Sequence, residues 1–440
     1  MKKFLALTLS VLLIFACFTG CSNKANPEPE NETKLPGMLA EVDPEDYRGT
    51  KVVIATWKDP FISHQPPEAD IFEELYGIDY DWISIDQGEY VSKIATLIAS
   101  NNQPDVFFEN GDFPASLTVM QPLDAAKLDL NHPKWNQSLI KTSSLGGHPY
   151  LIDSTNNINT EVDFCVYNKK TFSDNNITTP AEYYAAGKWT FANFREAAKQ
   201  VSMINKEYSG AGVLSEIMLG AAGSSIFLYE DNKFRLGVDS HLEEVFTFMA
   251  QMRVDGYLKL DRFGFDDGRQ GMCLTNAFGL QNRGYFTHIN PDYVGVTYLP
   301  VWKEGDKQRY SAIYRGWGLV DGAKNPVAAG IYINFYCDST NYMPDNFFLN
   351  QELQDFFFKV AKEFSDTVIY YRRRDLMVST GLGDYFDYAF MNYTPSEIKG
   401  YLDAQKPVMN QMIDKANQII ADEIKWIKEA EETGTLAKVN

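Results

Sequence analysis

Short apolar runs alternate along this chain with stretches of helical spacing, and that alternation predicts a layered α/β protein. Lys51-Val52-Val53-Ile54-Ala55-Thr56 is β-branched and ends at the Lys58-Asp59-Pro60 turn, which predicts a buried strand. Tyr90 to Ala99 puts Ile94, Leu97 and Ile98 on one face, which predicts a helix. Pro104-Asp105-Val106-Phe107-Phe108 predicts a second strand, and another helical stretch precedes Leu123. Strand, helix, strand, helix implies a parallel, helix-covered sheet, with ligands beyond the carboxyl ends of its strands.

The alternation continues without a tandem repeat. Phe164-Cys165-Val166-Tyr167, Tyr293 to Leu299 and Gly318-Leu319-Val320 predict strands. Trp189-Thr190-Phe191 opens a helix that runs to Val201. Leu242 to Met252, Ala328 to Phe335 and almost all of Pro395 to Glu432 read as helix.

The N-terminus has a different character. Lys2 and Lys3 precede an uncharged, mostly apolar run from Phe4 to Phe18, shorter than the ~20 residues of a spanning helix. It closes on Phe18-Thr19-Gly20-Cys21, which resembles a bacterial lipoprotein signal with Cys21 as the lipidated residue. From Ser22 to about Asp46 the chain is rich in Asn, Pro, Glu and Lys, which predicts a flexible tether. The expectation is a protein held on the extracytoplasmic face of the cell membrane by lipid alone.

A hydrophobic content of 45% predicts a well-filled core, and a net charge of −19 argues against nucleic acid as a partner. Cys165, Cys273 and Cys337 sit in apolar surroundings and read as buried free thiols. The five histidines show no metal-ligand spacing, and no calcium loop, phosphate-binding loop, nucleophile elbow or dinucleotide fingerprint is present. No cofactor and no metal are expected, and no catalytic residue is marked. A glycosidase needs only two well-placed carboxylates, so a glycan-acting enzyme stays open as an alternative.

Several blocks carry a family resemblance. They are Ile94-Ala95-Thr96-Leu97-Ile98-Ala99-Ser100 with Gln103-Pro104-Asp105-Val106, then Val166-Tyr167-Asn168-Lys169 with Gly187-Lys188-Trp189-Thr190. Gly268-Arg269-Gln270-Gly271-Met272, Gly295 to Pro300, and Lys324-Asn325-Pro326-Val327-Ala328-Ala329 follow in order. In this the chain resembles the family 1 extracellular solute-binding proteins, the group of the maltose-binding protein. The resemblance implies an α/β, two-lobe periplasmic-binding-protein-like fold of type II, its lobes joined by hinge strands near Tyr150 to Asn159 and near Pro300. It implies a leader over 1–20, a lipidated tether over 21–47, one lobe from 48–155 with 301–370, and another from 156–300 with 371–440. The C-terminal helices would pack on the second lobe.

The implied function is capture of a mono- or oligosaccharide for an ABC importer, by a monomer whose partners are permease and ATPase subunits. Another polar solute, such as a peptide, is the alternative. Sugar clefts combine carboxylates or amides with aromatic faces. Position by position, the family's contact residues fall on Asp59, Asp112 (with Glu109 and Phe113 beside it) and Glu161, and near Asn276 and Phe278. The family's stacking Trp is replaced by Phe278-Gly279, which departs from a maltose-type platform. Trp57, at a strand end, and Arg315 and Trp317, in Tyr314-Arg315-Gly316-Trp317-Gly318, complete the ligand-binding candidates. Each has a structural alternative: a turn for Asp59, a helix cap for Asp112, a solvated position for Glu161, core for Phe278 and Trp57.

Overall fold

The computed structural model describes residues 35–58, 68–109, 111–155, 163–213, 215–259, 263–276, 279, 286–313, 315–338, 348–364, 368–372 and 392–437. The leader and Cys21 lie outside the described residues.

The first predicted strand forms as β1 (Lys51–Lys58), followed by β2 (Asp79–Asp86), β3 (Val106–Glu109) and the short β4 (Met120–Gln121). Next come β5 (Asp163–Asn168), β6 (Ser209–Gly212) and a hairpin of β7 (Phe227–Glu230) and β8 (Lys233–Leu236). The other strands of the two five-stranded sheets are β9 (Leu258–Lys259), β10 (Gln270–Asn276), β11 (Val294–Thr297) and β12 (Gly316–Val320). One sheet has the order β2-β1-β3-β12-β4 and the other β9-β6-β10-β5-β11. β12 rejoins the first sheet only after the second has been completed, so the chain crosses out and back and two lobes result. Parallel pairing joins β1 to β2 and β3, and β6 to β9 and β10. β12 and β5 run antiparallel to their neighbours, so both sheets are mixed where a parallel sheet was expected.

Helices cover the sheets: α1 (Glu68–Tyr76), α2 (Tyr90–Ala99), α3 (Phe191–Ser202), α4 (Ser215–Ala222) and α5 (Ser240–Val254). α6 (Pro326–Cys337), α7 (Gln351–Phe364) and α8 (Ile398–Thr433) follow. α3 shows why the pattern works. The Thr190 hydroxyl accepts the Asn193 N–H at its start, and Phe191, Phe194, Ala197, Ala198 and Val201 form its buried face. Each large side chain so buried contributes about 1.5–3 kcal/mol.

The central strand β5 is buried on both faces. Cys165 and Tyr167 join the core under α3 and α5, whereas Phe164 and Val166 join the opposite core with Phe348, Leu353 and Phe357. Cys273 on neighbouring β10 belongs to that opposite core, so the Cys165 and Cys273 thiols lie on different faces of one sheet. Both are buried free thiols, as is Cys337, and burial pushes the Cys165 and Cys337 thiols up. All three should resist a thiol reagent in the native protein and label on denaturation, which peptide mass mapping would check.

Three placements differ from the sequence expectation. Leu35 to Tyr47, assigned to the tether, is docked on the first lobe. Met38 and Val42 are buried in its core, and the Leu39 N–H donates to the Lys127 carbonyl. Leu35, Met38, Leu39 and Val42 supply an apolar face that a free tether would leave in water. Second, Phe348 and α7, assigned to the first lobe, pack against the second sheet. Third, α8 packs on elements of both lobes, not on the second alone: it meets α5 and, at Asn417 near its middle, β8, and its C-terminal part meets Gly146, His148 and Tyr150.

Candidate functional site

The carboxyl ends of the parallel strands define where a ligand can reach backbone and loop groups. In the first lobe, β3 ends at Glu109, opposite Gly316 of β12, which brings Arg315 alongside. Glu109 is completely buried, and its Oε2 accepts the Gly111 N–H at 2.9 Å. The N–H groups of Asp112 and Phe113 add to this cradle. Burial, and then the charge of Asp112, push the Glu109 carboxyl up to about 8, and the three backbone donors only partly offset them. At neutral pH Glu109 therefore carries a proton and offers a donor as well as an acceptor.

Tyr90 lies beneath this loop, donating its hydroxyl to the Ala55 carbonyl at 2.9 Å. Burial and the Glu109 and Asp112 carboxylates push its phenol well above the usual range. Phe113 is fully buried, and its ring meets Tyr229 of β7 edge-on at 5.9 Å. The loop after β3 thus reaches across to the second lobe.

In the second lobe, β10 ends at Asn276, paired with Asp163 at the start of β5. Both are buried, as is Glu216 in the first turn of α4. Asp163 and Glu216 escaped the sequence reading. The available signal was an acid opening an apolar strand in Asp163-Phe164-Cys165-Val166, and an acid in the helix start that follows β6.

Of the other candidates, Asp59, Glu161, Phe278 and the side chain of Trp57 lie outside the described residues. Trp317 requires a correction. Its ring is 1% exposed and packs against Phe108 at 5.0 Å, Tyr336 at 4.8 Å and Tyr332 at 5.5 Å, inside the first lobe. The flanking glycines permit close packing instead of presenting a ring. A Cβ on Gly316 would sit 2.9 Å from Leu139 Cδ2, and one on Gly318 would sit 2.6 Å from Met120 Cε. Trp189, just ahead of α3, is buried and donates its indole N–H to the Tyr298 carbonyl at 2.8 Å.

Among the described residues, no group of three or more His, Cys, Asp or Glu could hold a metal ion, and no helix is long and apolar enough to cross a membrane.

Two mixed α/β sheets linked by crossing segments, with polar groups at their strand ends, define the two-lobe, type II class of binding-protein folds. Residues 51–253 match the family model described as bacterial extracellular solute-binding protein, which bears out the resemblance read from the sequence blocks. No curated protein matches the chain by sequence. Solved structures share the fold at low identity. The galacto-N-biose/lacto-N-biose I-binding protein of Bifidobacterium longum, in complex with lacto-N-biose, has a TM-score of 0.60 at 14% identity, over 86% of this chain and 97% of that one. An ABC substrate-binding protein of Listeria monocytogenes, in complex with cycloalternan, has a TM-score of 0.58 at 15% identity, over 84% and 99%. An extracellular solute-binding protein of Staphylococcus aureus, in complex with maltose, has a TM-score of 0.57 at 17% identity, over 86% and 99%.

Proposed function

We propose that this protein is a non-catalytic receptor that takes a mono- or oligosaccharide between its lobes and delivers it to an ABC importer. The observation that carries this reading is the placing of buried carboxylates and an amide at the strand ends of both lobes: Glu109 on one side, Asp163 and Asn276 on the other. Carboxyl and amide side chains suit sugar hydroxyls, and protonated Glu109 can donate to a sugar oxygen as well as accept from a hydroxyl. The relatives solved with lacto-N-biose, cycloalternan and maltose support a carbohydrate as the solute.

In this reading Glu109, Asp112, Arg315 and Asn276 contact the ligand, together with Trp57, Asp59, Glu161 and Phe278. Phe113 acts at the contact between the lobes. Lobe closure follows because the ligand touches both lobes only when they approach, which shifts the population towards the closed form. The protein works as a monomer without cofactor. Cys21 carries lipid, and permease and ATPase subunits are the partners. Leu35 to Tyr47, being docked on the first lobe, form no part of the tether.

The test is a melting-temperature and Trp-fluorescence titration over a panel of mono- and oligosaccharides. One sugar class should raise the melting temperature saturably with no product formed, since a ligand bound to the native state stabilises it. Asp112→Asn should weaken that binding by roughly tenfold or more, the worth of a hydrogen bond to a charged group. Silence across the panel with a response to peptides or charged solutes would overturn the carbohydrate assignment. Turnover of a sugar would overturn the receptor assignment.

A further inference from the structure

The C-terminal helix α8 spans 36 residues, about 54 Å at 1.5 Å per residue. Its N-terminal part buries Tyr401, Leu402, Met409 and Met412, and it packs against α5 of the second lobe. At Asn417 it makes a reciprocal clasp with the β7–β8 hairpin. The Phe234 N–H donates to Asn417 Oδ1 at 2.7 Å, and Asn417 Nδ2 donates to the Phe234 carbonyl at 3.0 Å. Beyond that point the partners change lobe. Glu423 accepts the Tyr150 hydroxyl, Ile427 lies over Gly146, and Glu431 faces His148 Nε2 at 3.3 Å. The other ring nitrogen of fully buried His148 faces Asp124 at 2.9 Å, and Asp321 adds its charge near Glu423.

Asn417 and Glu423 are six residues apart, about 9 Å of rigid helix. One stiff element therefore holds the main chain of one lobe and buried polar side chains of the other. Any relative movement of the lobes must break or reorient one of these fastenings. The same fastenings connect to the candidate site. Phe113, in the loop after β3, meets Tyr229, and Tyr229 packs against Phe234 at 4.7 Å, the residue that Asn417 clasps. Cleft loop, hairpin, α8 and the Tyr150 segment thus form a closed mechanical circuit through both lobes.

We propose that α8 is a strap across the lobes, clasped to the second at Asn417 and latched to the first at Glu423 and Glu431, and that this latch holds the lobes in contact and sets how readily the cleft opens. Separating a half-buried carboxylate from its fully buried tyrosine or histidine partner leaves that buried polar group uncompensated, so the latch favours one lobe arrangement over others. The proposal rests on the lobe movement of the receptor reading, but not on the identity of the solute.

The test measures the distance between the lobes with no sugar present. Spin labels at the exposed positions Lys93 and Lys206, one on each lobe, would report it by double electron–electron resonance. Tyr150→Phe removes one hydroxyl, and Asn417→Ala removes the clasp on the other lobe. Both should move the distance distribution the same way, towards longer separations, and Glu431→Gln should do so as well. Circular dichroism would verify that each variant is folded. A lowered melting temperature with a distance distribution identical to wild type would reduce α8 to ordinary packing and overturn the strap. Sugar binding that persists alongside an unchanged distribution would leave the receptor reading standing, while a shifted distribution in a protein that binds no sugar would support the strap and remove the carbohydrate.

Discussion

Replacing Glu109 with glutamine should leave stability close to wild type near pH 4 and raise it by about 3–5 kcal/mol at pH 8.5. The carboxyl is completely buried and is pushed up to about 8, by burial first and by Asp112 second. Below its unfolded value of about 4.5, folded and unfolded chains both hold the proton, and the shift costs nothing. Between about 4.5 and about 8, the unfolded chain releases the proton while the folded chain keeps it, so wild-type stability falls as pH rises. Above about 8 both are ionised, and the loss stays constant. Glutamine removes this dependence and keeps an oxygen to accept the Gly111 N–H. Urea unfolding of both proteins at pH 4, 7 and 8.5 would check it. Wild-type and variant curves that run parallel across that range would mean that folding leaves the Glu109 carboxyl at its unfolded value, ionised in the native protein above about 4.5. The same proton would act in ligand capture: if Glu109 donates to a sugar oxygen, wild-type affinity should fall as pH passes about 8.

Much of the fold was legible because its elements carry their own periodicity. α2 runs from Tyr90 to Ala99, the bounds its apolar spacing predicts, and β1 begins at Lys51 as its β-branched run requires. The C-terminal helix is equally plain, ending at Thr433 before Gly434 in a left-handed conformation. Other elements depend on partners that the chain supplies far away. β6 is Ser-Gly-Ala-Gly, a sequence with no strand signal. Its glycine is required because a Cβ on Gly210 would collide with the Ala198 carbonyl of α3. β10 is buried along its whole length, so it lacks the alternation that marks a half-exposed strand.

The site was legible to the same degree. Glu109 and Asp112 are candidates through the family resemblance, which places a contact acid after the second predicted strand. The proton on Glu109 follows only from complete burial beside Asp112, which no local pattern encodes. Asp163 and Asn276 form a pair through the register of β5 and β10, more than a hundred residues apart in sequence. That α8 fastens both lobes is likewise hidden from periodicity, which reports that a face is buried and not against what.

Trp317 shows how a local motif misleads, and it supports the largest expected loss of stability. Gly316-Trp317-Gly318 has the composition of a loop that offers a ring to a ligand. In the fold it is the start of β12, wedged between β3 and the segment leaving the first lobe. The Trp317 N–H donates to the Ile152 carbonyl at 2.8 Å, and the Ile152 N–H donates back at 3.0 Å. With Phe108, Tyr332 and Tyr336 around the ring, Trp317→Ala would open a cavity that those aromatics cannot fill without moving. Such a truncation costs about 3–5 kcal/mol, enough to remove much of a domain's stability. Trp317→Phe should cost less. It keeps an aromatic contact with Phe108, and it removes an indole N–H that finds no acceptor among the described residues. Denaturant unfolding orders the two variants, and ligand titration separates core from platform. A core residue predicts that Trp317→Phe binds the solute with wild-type affinity in a less stable protein. Normal stability with lost binding would instead place this ring in the cleft, and would require the first lobe to rearrange around β12 when the solute arrives.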